Sequence, residues 1–228
     1  MAGPVVVRAP VDGLWRVGRG PDALKTRRLE DKRRRLSSGG NRFDPQGYDY
    51  GVVYFGSTLQ ACFAETLARF RPNLALLALV QDEWQQRGVM DAGAVPTDWR
   101  QRRIAARARL PREAVFVDIE HPATHQFLRS ELAVGLAALG VEDIDVSTVR
   151  GPDRRVTQMI SEWAYMASED DEPRYAGIRY VSRLGSQWEC WAVFDDDDSE
   201  LEVVEQRPIT RDMPELQEIA ELFGLTVF

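Results

Sequence analysis

The residues best suited to chemistry lie in the first third of the chain. Arg42 follows two glycines and precedes Pro45 and Gly47, a composition that predicts a tight loop presenting a guanidinium. Tyr54 lies near the end of the run GVVYF, and Glu65 follows eleven residues later. A guanidinium forms paired hydrogen bonds with phosphate, a phenol ring stacks on flat ligands, and a carboxylate accepts hydrogen bonds from ribose hydroxyls. The three residue types together indicate a cleft for a phosphorylated ligand that carries an aromatic ring.

Local patterns predict the elements that position these side chains. The run GVVYF, residues 51–55, is β-branched and aromatic and is bounded by glycines, which is typical of a strand. Ser57 or Thr58 is a suitable cap for a helix over residues 58–70. The core-facing stripe of that helix comprises Leu59, Cys62, Phe63, Leu67 and Phe70. Glu65 falls off this stripe, and a strand end with the helix that follows it commonly flanks a cleft.

The whole chain is predicted to form a single α+β domain. Strands and helices alternate irregularly, without an internal repeat and without a glycine-rich linker that would separate domains. The predicted strands are residues 73–80, 114–119, 175–182 and 190–194, and the predicted helices are residues 97–108, 122–140, 152–168 and 215–225.

Composition narrows the class of protein. Of 228 residues, 44% are hydrophobic and 29% are charged, as in soluble globular proteins. No apolar run reaches the ~20 residues that span a bilayer, and the N-terminus does not resemble a secretory signal, so a cytoplasmic protein without membrane contact is expected. The formal net charge of −7 argues against a dedicated nucleic-acid binder. Cys62 and Cys190 fit neither a disulfide framework nor a metal ribbon, so both are expected to be buried apolar residues.

Charged residues are distributed unevenly. Basic residues concentrate at 25–35 and at 100–112, whereas acidic residues gather near Ser168 and near Asp195. Such runs are usually solvated faces or loops. The alternative for the basic runs is a surface that attracts a polyanion or an acidic partner protein.

Three segments of the chain resemble the RES domain family. The segment GGNRFDP is similar to the arginine loop of RES domains, YFGSTLQACFAETL to their tyrosine strand and glutamate helix, and GIRYVSRLGSQWECWAVF to their serine-bearing segment. The arginine, glutamate and serine that give the family its name match Arg42, Glu65 and Ser182. Asn41 before the arginine and Phe43 in place of a tryptophan depart from the family pattern.

The resemblance implies a fold and its boundaries. It covers residues 14–194, an NAD-binding catalytic domain in which residues 14–20 are expected to form the opening strand. Residues 195–228 are expected to add an acidic loop, a strand and a helix to the same domain. The implied fold is similar to that of ADP-ribosyltransferases, with a split mixed β-sheet flanked by helices.

The resemblance also implies a reaction, the cleavage of NAD⁺ between nicotinamide and ribose by hydrolysis or phosphorolysis. NAD⁺ is then the substrate and inorganic phosphate a candidate co-substrate, and no metal or other cofactor is implied. Such a bond breaks through an oxocarbenium-like transition state that a nearby carboxylate stabilises, the role expected of Glu65. Arg42 would anchor phosphate, and Tyr54 would pack on nicotinamide or contact the ribose, so these three residues are the catalytic candidates.

Further binding candidates follow from the same segments. Ser182 is expected to orient the nicotinamide side of the ligand, and Arg16 and Arg179 are second-rank candidates for its phosphates, with surface ion pairs as the alternative. Each main candidate also has a structural alternative: an ion pair with Asp44 or Asp49 for Arg42, core packing for Tyr54, solvent exposure for Glu65, and a strand end for Ser182.

The two histidines carry no prediction of metal binding. His121 and His125 are four residues apart, but no HExxH carboxylate accompanies them. Activation of a serine nucleophile needs an adjacent base. Because both histidines are far from Ser182 in the sequence, this serine is not expected to be a nucleophile.

The leading functional hypothesis is a toxin that depletes NAD⁺ and is held inactive by a small helix-turn-helix antitoxin covering its pocket. Homo- or hetero-oligomers are expected by analogy with RES toxins, and the toxin itself is not expected to bind nucleic acid. Two alternatives remain: an ADP-ribosyltransferase that modifies a host protein, and a non-catalytic nucleotide-binding or interaction module. The latter would not need the carboxylate of Glu65.

Overall fold

A mixed β-sheet forms the centre of the computed structural model, which describes residues 3–25, 40–45, 50–73, 75, 93–169, 172–195 and 201–228. The strands in these residues are β1 (Val6–Arg8), β2 (Leu14–Arg19), β3 (Gly51–Gly56), β4 (Ala94–Val95), β5 (Arg103–Arg109), β6 (Val115–Asp118), β7 (Ser168–Glu169), β8 (Glu172–Pro173), β9 (Gly177–Val181), β10 (Glu189–Asp195), β11 (Glu202–Pro208) and β12 (Thr226–Val227). Eight of them join in the order β1-β6-β9-β10-β3-β2-β5-β11. In this sheet β6 and β9 are parallel, and the other neighbouring pairs are antiparallel.

Helices flank this sheet, so the predicted α+β single domain is confirmed. The α-helices of the described residues are α1 (Leu59–Leu67), α2 (Thr97–Gln101), α3 (Pro122–Glu131), α4 (Ala133–Ala138), α5 (Val146–Arg150), α6 (Arg154–Met166) and α7 (Pro214–Phe223). The C-terminal elements belong to the same unit, because β11 pairs with β5 and α7 packs against α1. In the described part of the chain, no helix has the length and apolar character needed to cross a bilayer.

The sheet is split between β2 and β3. Their ladder consists of the single pair Trp15 and Gly56, whereas β2 pairs with β5 along its full length. The side chain of Arg16 bridges the gap, because its Nη1 donates to the carbonyl oxygen of Tyr54 on β3 (2.9 Å) and its Nε donates to that of Ala23. Beyond the single residue pair the two parts of the sheet separate, and side chains rather than backbone ladders line the gap.

Helix α1 covers one side of this gap. Thr58, one of the two predicted caps, accepts a hydrogen bond from the backbone N–H of Ala61 (3.2 Å). The residues of the predicted core stripe that lie within α1 are buried, and they are Leu59, Cys62, Phe63 and Leu67. These side chains pack α1 against β2, β3 and α7. Glu65 lies off the stripe and is exposed, as its position in the pattern predicts.

The predicted helix at residues 97–108 is wrong in its second half. Helix α2 ends at Gln101, and the chain from Arg103 onward forms β5. Alanine and arginine favour helices, but this run lies between β2 and β11 and forms ladders with both. Its alanines are completely buried: Ala105, Ala106 and Ala108. Pairing within the sheet overrides the local helix propensity.

The other described elements follow the sequence patterns more closely. The observed β6, β9, β10, α6 and α7 coincide with their predicted ranges to within two residues. The predicted helix at 122–140 is interrupted at Leu132, where α3 gives way to α4. The predicted strand at 73–80, the basic run at 25–35 and the acidic run after Asp195 lie largely outside the described residues.

Gly177, the first residue of β9, should not tolerate a side chain. It has a φ of 154°, and a Cβ there would lie 2.1 Å from the carbonyl oxygen of Ala192 on β10. We expect Gly177→Ala to lower the free energy of unfolding by about 3 kcal/mol, because a backbone atom of the central sheet must move. The matched control is Gly140→Ala, where φ is 74° but no described atom lies within 4 Å of the added Cβ. This control should cost only about 1 kcal/mol in urea denaturation, and equal losses for both variants would contradict the clash.

Candidate functional site

The split in the sheet opens into a cleft of about 500 Å³. This volume lies within the range of about 300–1,000 Å³ that small-molecule sites occupy. Residues from β2, β3, α1, β9, β10, the Arg42 loop and the start of α6 line it. The lining includes Arg16, Asn41, Arg42, Tyr54, Phe55, Glu65, Thr66, Arg154, Tyr180 and Arg183. The structure therefore brings Arg42, Tyr54, Glu65 and Arg16 into one cleft.

Side chains of α6 hold the loop that carries Arg42. One face of the helix donates three hydrogen bonds to successive loop carbonyl oxygens: Thr157 Oγ1 to Arg42 (2.6 Å), Gln158 Nε2 to Asn41 (3.2 Å) and Ser161 Oγ to Phe43 (2.7 Å). Such polar side chains satisfy backbone groups that an irregular loop leaves without ladder partners. The loop is thus fixed by a helix more than 100 residues away in the sequence.

The hydroxyl of Tyr54 ties the same loop to β3. It accepts a hydrogen bond from the N–H of Phe43 (2.9 Å) and donates one to Asp44 Oδ1 (2.9 Å). The other oxygen of Asp44 accepts hydrogen bonds from the backbone and side-chain N–H groups of Asn41. Burial raises the pKa of Tyr54 well above its usual 10, and the neighbouring carboxylate adds to the shift. The Tyr54 hydroxyl therefore organises the loop, while the residue remains part of the cleft wall.

The guanidinium of Arg42 rests on the C-terminal end of α5. Its Nη1 donates to the carbonyl oxygen of Val149, and its Nη2 donates to that of Arg150 (3.3 Å). Carbonyl groups at a helix C-terminus carry partial negative charge and stabilise cations. Burial lowers the pKa of Arg42, with contributions from the nearby positive charges of Arg183 and Arg154, and the negative charge of Glu65 opposes the shift. Arginine nevertheless remains protonated in proteins, so Arg42 supplies a fixed positive charge.

Ser182 positions the carboxylate of Glu65. Its Oγ donates a hydrogen bond to Glu65 Oε1 (2.6 Å) and accepts one from the N–H of Leu184 (3.1 Å). Ser182 is only 1% exposed, whereas Glu65 is exposed at the cleft. The sequence resemblance assigned this serine to the nicotinamide side of the ligand. In the structure its hydroxyl donates to the glutamate.

Tyr180, Arg154 and Arg183 also line the cleft but were not singled out from the sequence. Tyr180 lies two residues before Ser182 on β9, and strand alternation places both side chains on one face of the sheet. The two-residue period of a strand could therefore have identified Tyr180 from the position of Ser182. Arg154 donates to the carbonyl oxygen of Gly40, and Arg183 is exposed. Arg154 lies in a segment without a distinctive motif, whereas Arg183 directly follows Ser182 in the segment that resembles the serine-bearing part of RES domains.

The two second-rank arginines have different locations. Arg16 lines the cleft, and burial lowers the pKa of its guanidinium. Arg179 points to the other face of the sheet, where it pairs with Asp118 (3.1 Å) and Glu189 (2.8 Å). It alternates with Tyr180 along β9, which is why it cannot share the cleft. The structure thus corrects the assignment of Arg179 to the ligand and gives it the ion pairs that were the alternative.

The cysteines and histidines have structural environments. Burial raises the pKa of the Cys62 thiol to about 12 and shifts that of Cys190 upward as well, so both stay protonated near neutral pH. His121 Nδ1 accepts a hydrogen bond from the N–H of Ala123 at the start of α3 (3.1 Å), and His125 Nε2 contacts the carbonyl oxygen of Ile119 (2.6 Å). Within the described ranges, no three side chains of the metal-binding types converge.

Comparison with known proteins relates this fold to one family. The family model described as RES domain matches residues 13–213. Among solved structures, the chain is similar to a chain of the M. tuberculosis MbcT–MbcA toxin–antitoxin complex. That likeness has a TM-score of 0.54 and 15% sequence identity, and it covers 95% of this chain and 91% of the other. No curated protein sequence gives a significant match.

Loss of the Tyr54 hydroxyl should destabilise the protein. Tyr54→Phe leaves the buried N–H of Phe43 and the Oδ1 atom of Asp44 without their partner, so we expect the free energy of unfolding to fall by about 2 kcal/mol. Tyr165→Phe is the matched control, since the described residues provide no hydrogen-bond partner for the Tyr165 hydroxyl. Chemical denaturation should show little change for this control, and a similar loss in both variants would refute the anchoring role.

Proposed function

Because this chain belongs to the RES domain family, we propose that it binds NAD⁺ in the cleft between β2 and β3 and cleaves the bond between nicotinamide and ribose. The observation that carries the proposal is the carboxylate of Glu65 in a cleft whose other charged lining residues are all arginines and whose lining includes two tyrosines. A dinucleotide needs cations for its diphosphate and flat surfaces for its rings, while cleavage at the ribose needs a negative charge. The cleft contains all three kinds of group.

The arginines account for binding of the diphosphate. Arg16 and Arg42 hold their guanidinium groups through backbone carbonyl oxygens, so neither positive charge is neutralised by these contacts. Among the described residues, the remaining N–H groups of both side chains have no other partner, so they can bind phosphate oxygens, which guanidinium groups do with two parallel hydrogen bonds. Arg154 and Arg183 extend the positive charge along the cleft. Tyr54 and Tyr180 provide aromatic rings in its wall.

Glu65 accounts for the chemistry. When the bond between ribose C1′ and nicotinamide N1 breaks, its electron pair leaves with the nicotinamide, which becomes neutral, and positive charge develops on the ribose. A carboxylate close to that charge lowers the energy of the transition state, as in glycoside hydrolysis. An oxygen of water or of inorganic phosphate then bonds to C1′, which completes hydrolysis or phosphorolysis. Ser182 holds Glu65 for this role through the hydrogen bond of 2.6 Å.

We further propose that a partner protein controls this activity. The structural neighbour is part of a toxin–antitoxin complex, and its fold covers nearly the whole of this chain. An enzyme that consumes the NAD⁺ of its own cell needs such an inhibitor. A helical antitoxin that covers the open cleft would prevent the dinucleotide from entering and would free the toxin when removed.

The first test is release of nicotinamide by the purified protein incubated with NAD⁺. Glu65→Gln preserves the size of the side chain and removes its charge, so we expect the rate to fall by on the order of 10²–10³, the usual cost of losing one transition-state electrostatic contact. Chromatography of nicotinamide, ADP-ribose and its phosphorylated form, with and without inorganic phosphate, identifies the acceptor.

The matched control is Glu131→Gln, which removes an exposed carboxylate at the end of α3 and outside the cleft. Its rate should equal that of the unaltered protein. If the protein releases no nicotinamide either with or without phosphate, the proposed cleavage of free NAD⁺ is wrong. Equal rates for the two glutamine variants would remove Glu65 from the mechanism.

The role of Ser182 predicts non-additive kinetics. Ser182→Ala removes the hydrogen bond that orients Glu65, so we expect kcat to fall about tenfold with little change in KM. Because the serine acts through the glutamate, the double variant with Glu65→Gln should be no slower than Glu65→Gln alone. Multiplicative losses in steady-state assays would instead indicate that Ser182 contacts the ligand independently.

A further inference from the structure

Glu120 connects two parts of the chain that meet behind the cleft. It follows β6, and its side chain is only 9% exposed. Oε2 accepts two hydrogen bonds from Arg150, one from Nε (3.0 Å) and one from Nη2 (2.7 Å). Oε1 accepts the backbone N–H of Val181, the last residue of β9 (2.9 Å). The two oxygens of this carboxylate therefore accept hydrogen bonds from different elements, one from α5 and one from β9.

The contact with Arg150 leads to Arg42. Arg150 is the last residue of α5, and Glu120 fixes its side chain from one side. Its carbonyl oxygen, together with that of Val149, accepts the hydrogen bonds that orient the Arg42 guanidinium. The position of the diphosphate-binding cation thus depends on the end of a helix of one and a half turns. So short a helix is marginal without tertiary contacts, and the ion pair with Glu120 is such a contact.

The contact with Val181 leads to Glu65. Val181 directly precedes Ser182, whose own N–H donates to the carbonyl oxygen of Trp188 (2.9 Å). The two backbone hydrogen bonds fix the end of β9 on successive residues. The Ser182 hydroxyl then has a defined direction toward Glu65 Oε1. A shift at Val181 would be transmitted directly to this hydrogen bond.

We infer that Glu120 is a positioning residue for the proposed reaction. Its carboxylate fixes the positions of both the phosphate-binding Arg42 and the Ser182–Glu65 pair. This inference rests on the proposed function. If the ion pair of Glu120 were only structural, its loss would change ligand affinity and turnover no more than the loss of another ion pair in the protein. The pair of Arg179 and Glu189 on the other face of the sheet provides that comparison.

The test uses three variants: Glu120→Gln, Arg150→Ala and the control Glu189→Gln. Glutamine at position 120 keeps one acceptor oxygen, but its amide places a donor against either Arg150 or the N–H of Val181. Arg150→Ala removes the ion pair that holds the end of α5 to Glu120, keeps the backbone carbonyl that accepts from Arg42, and leaves the contact of Glu120 with Val181 in place. Nicotinamide release gives kcat and KM, and calorimetric titration with ADP-ribose, which carries the diphosphate, gives an affinity that does not depend on turnover.

We expect Arg150→Ala to weaken ADP-ribose binding about tenfold and to raise KM, with a smaller effect on kcat, because it disturbs mainly the diphosphate site. Glu120→Gln should show the same loss of affinity and, in addition, a fall in kcat of about tenfold or more, because it also disturbs Ser182 and Glu65. Glu189→Gln should match the unaltered protein in all three quantities.

Equal values of kcat, KM and ADP-ribose affinity for Glu120→Gln and Glu189→Gln would overturn the inference. If Glu120→Gln does not fold, an unchanged ADP-ribose affinity in Arg150→Ala overturns the link to Arg42. If the unaltered protein releases no nicotinamide, the proposed function fails by itself. Weaker ADP-ribose binding in Arg150→Ala and Glu120→Gln would then still support the positioning of Arg42.

Discussion

The single residue pair that joins β2 to β3 is the constraint on which the site depends. A sheet interior normally satisfies backbone groups through its ladders, and strands that separate must find other partners for these groups. Here the side chain of Arg16 does so, since it donates to the carbonyl oxygens of Tyr54 and Ala23 across the gap. A charged group is costly to bury unless hydrogen bonds compensate for its lost hydration. The split therefore creates a cleft that is polar and positively charged at its base.

The Arg42 loop, which lines this cleft, is held largely by contacts with other elements. Its carbonyl groups are held by Thr157, Gln158 and Ser161 on α6, and one of its N–H groups is held by the hydroxyl of Tyr54. Each of these contacts is worth about 1 kcal/mol, and none replaces the others, because each satisfies a different backbone atom. The orientation of Arg42 is consequently a property of the assembled fold. It does not arise from the glycines and proline of the loop sequence alone.

This dependence separates what the sequence predicts from what it does not. The period of α1 correctly predicts that Leu59, Cys62, Phe63 and Leu67 are buried and that Glu65 is not, because a helix repeat is a local property. The alanines of β5 led to the wrong prediction of a helix, since this strand forms through its pairing with β2 and β11. In β9 the side chains alternate between the two faces of the sheet. This alternation places Tyr180 in the cleft, on the same side as Ser182, and Arg179 on the opposite face.

The contacts of Glu120 and Thr157 could not be predicted in this way. Glu120 binds Val181 and Arg150, and Thr157 binds the loop of Arg42, across sequence separations of 30 to 115 residues. No periodicity spans such distances. The family resemblance located Arg42, Glu65 and Ser182 by motif, but it did not reveal that the serine hydroxyl donates to the glutamate.

The use of a serine to hold Glu65 follows from the charges in the cleft. Arg16, Arg42, Arg154 and Arg183 suit the proposed diphosphate ligand, but their positive field would oppose the charge that develops on ribose in the proposed cleavage. The proposed reaction therefore needs a full negative charge on Glu65. An arginine partner would orient this carboxylate but would also neutralise it, and among the described residues Glu65 forms no ion pair. A hydroxyl orients it by a hydrogen bond and leaves its net charge unchanged. Fixing Glu65 through Ser182 thus keeps its negative charge in a cleft dominated by cations.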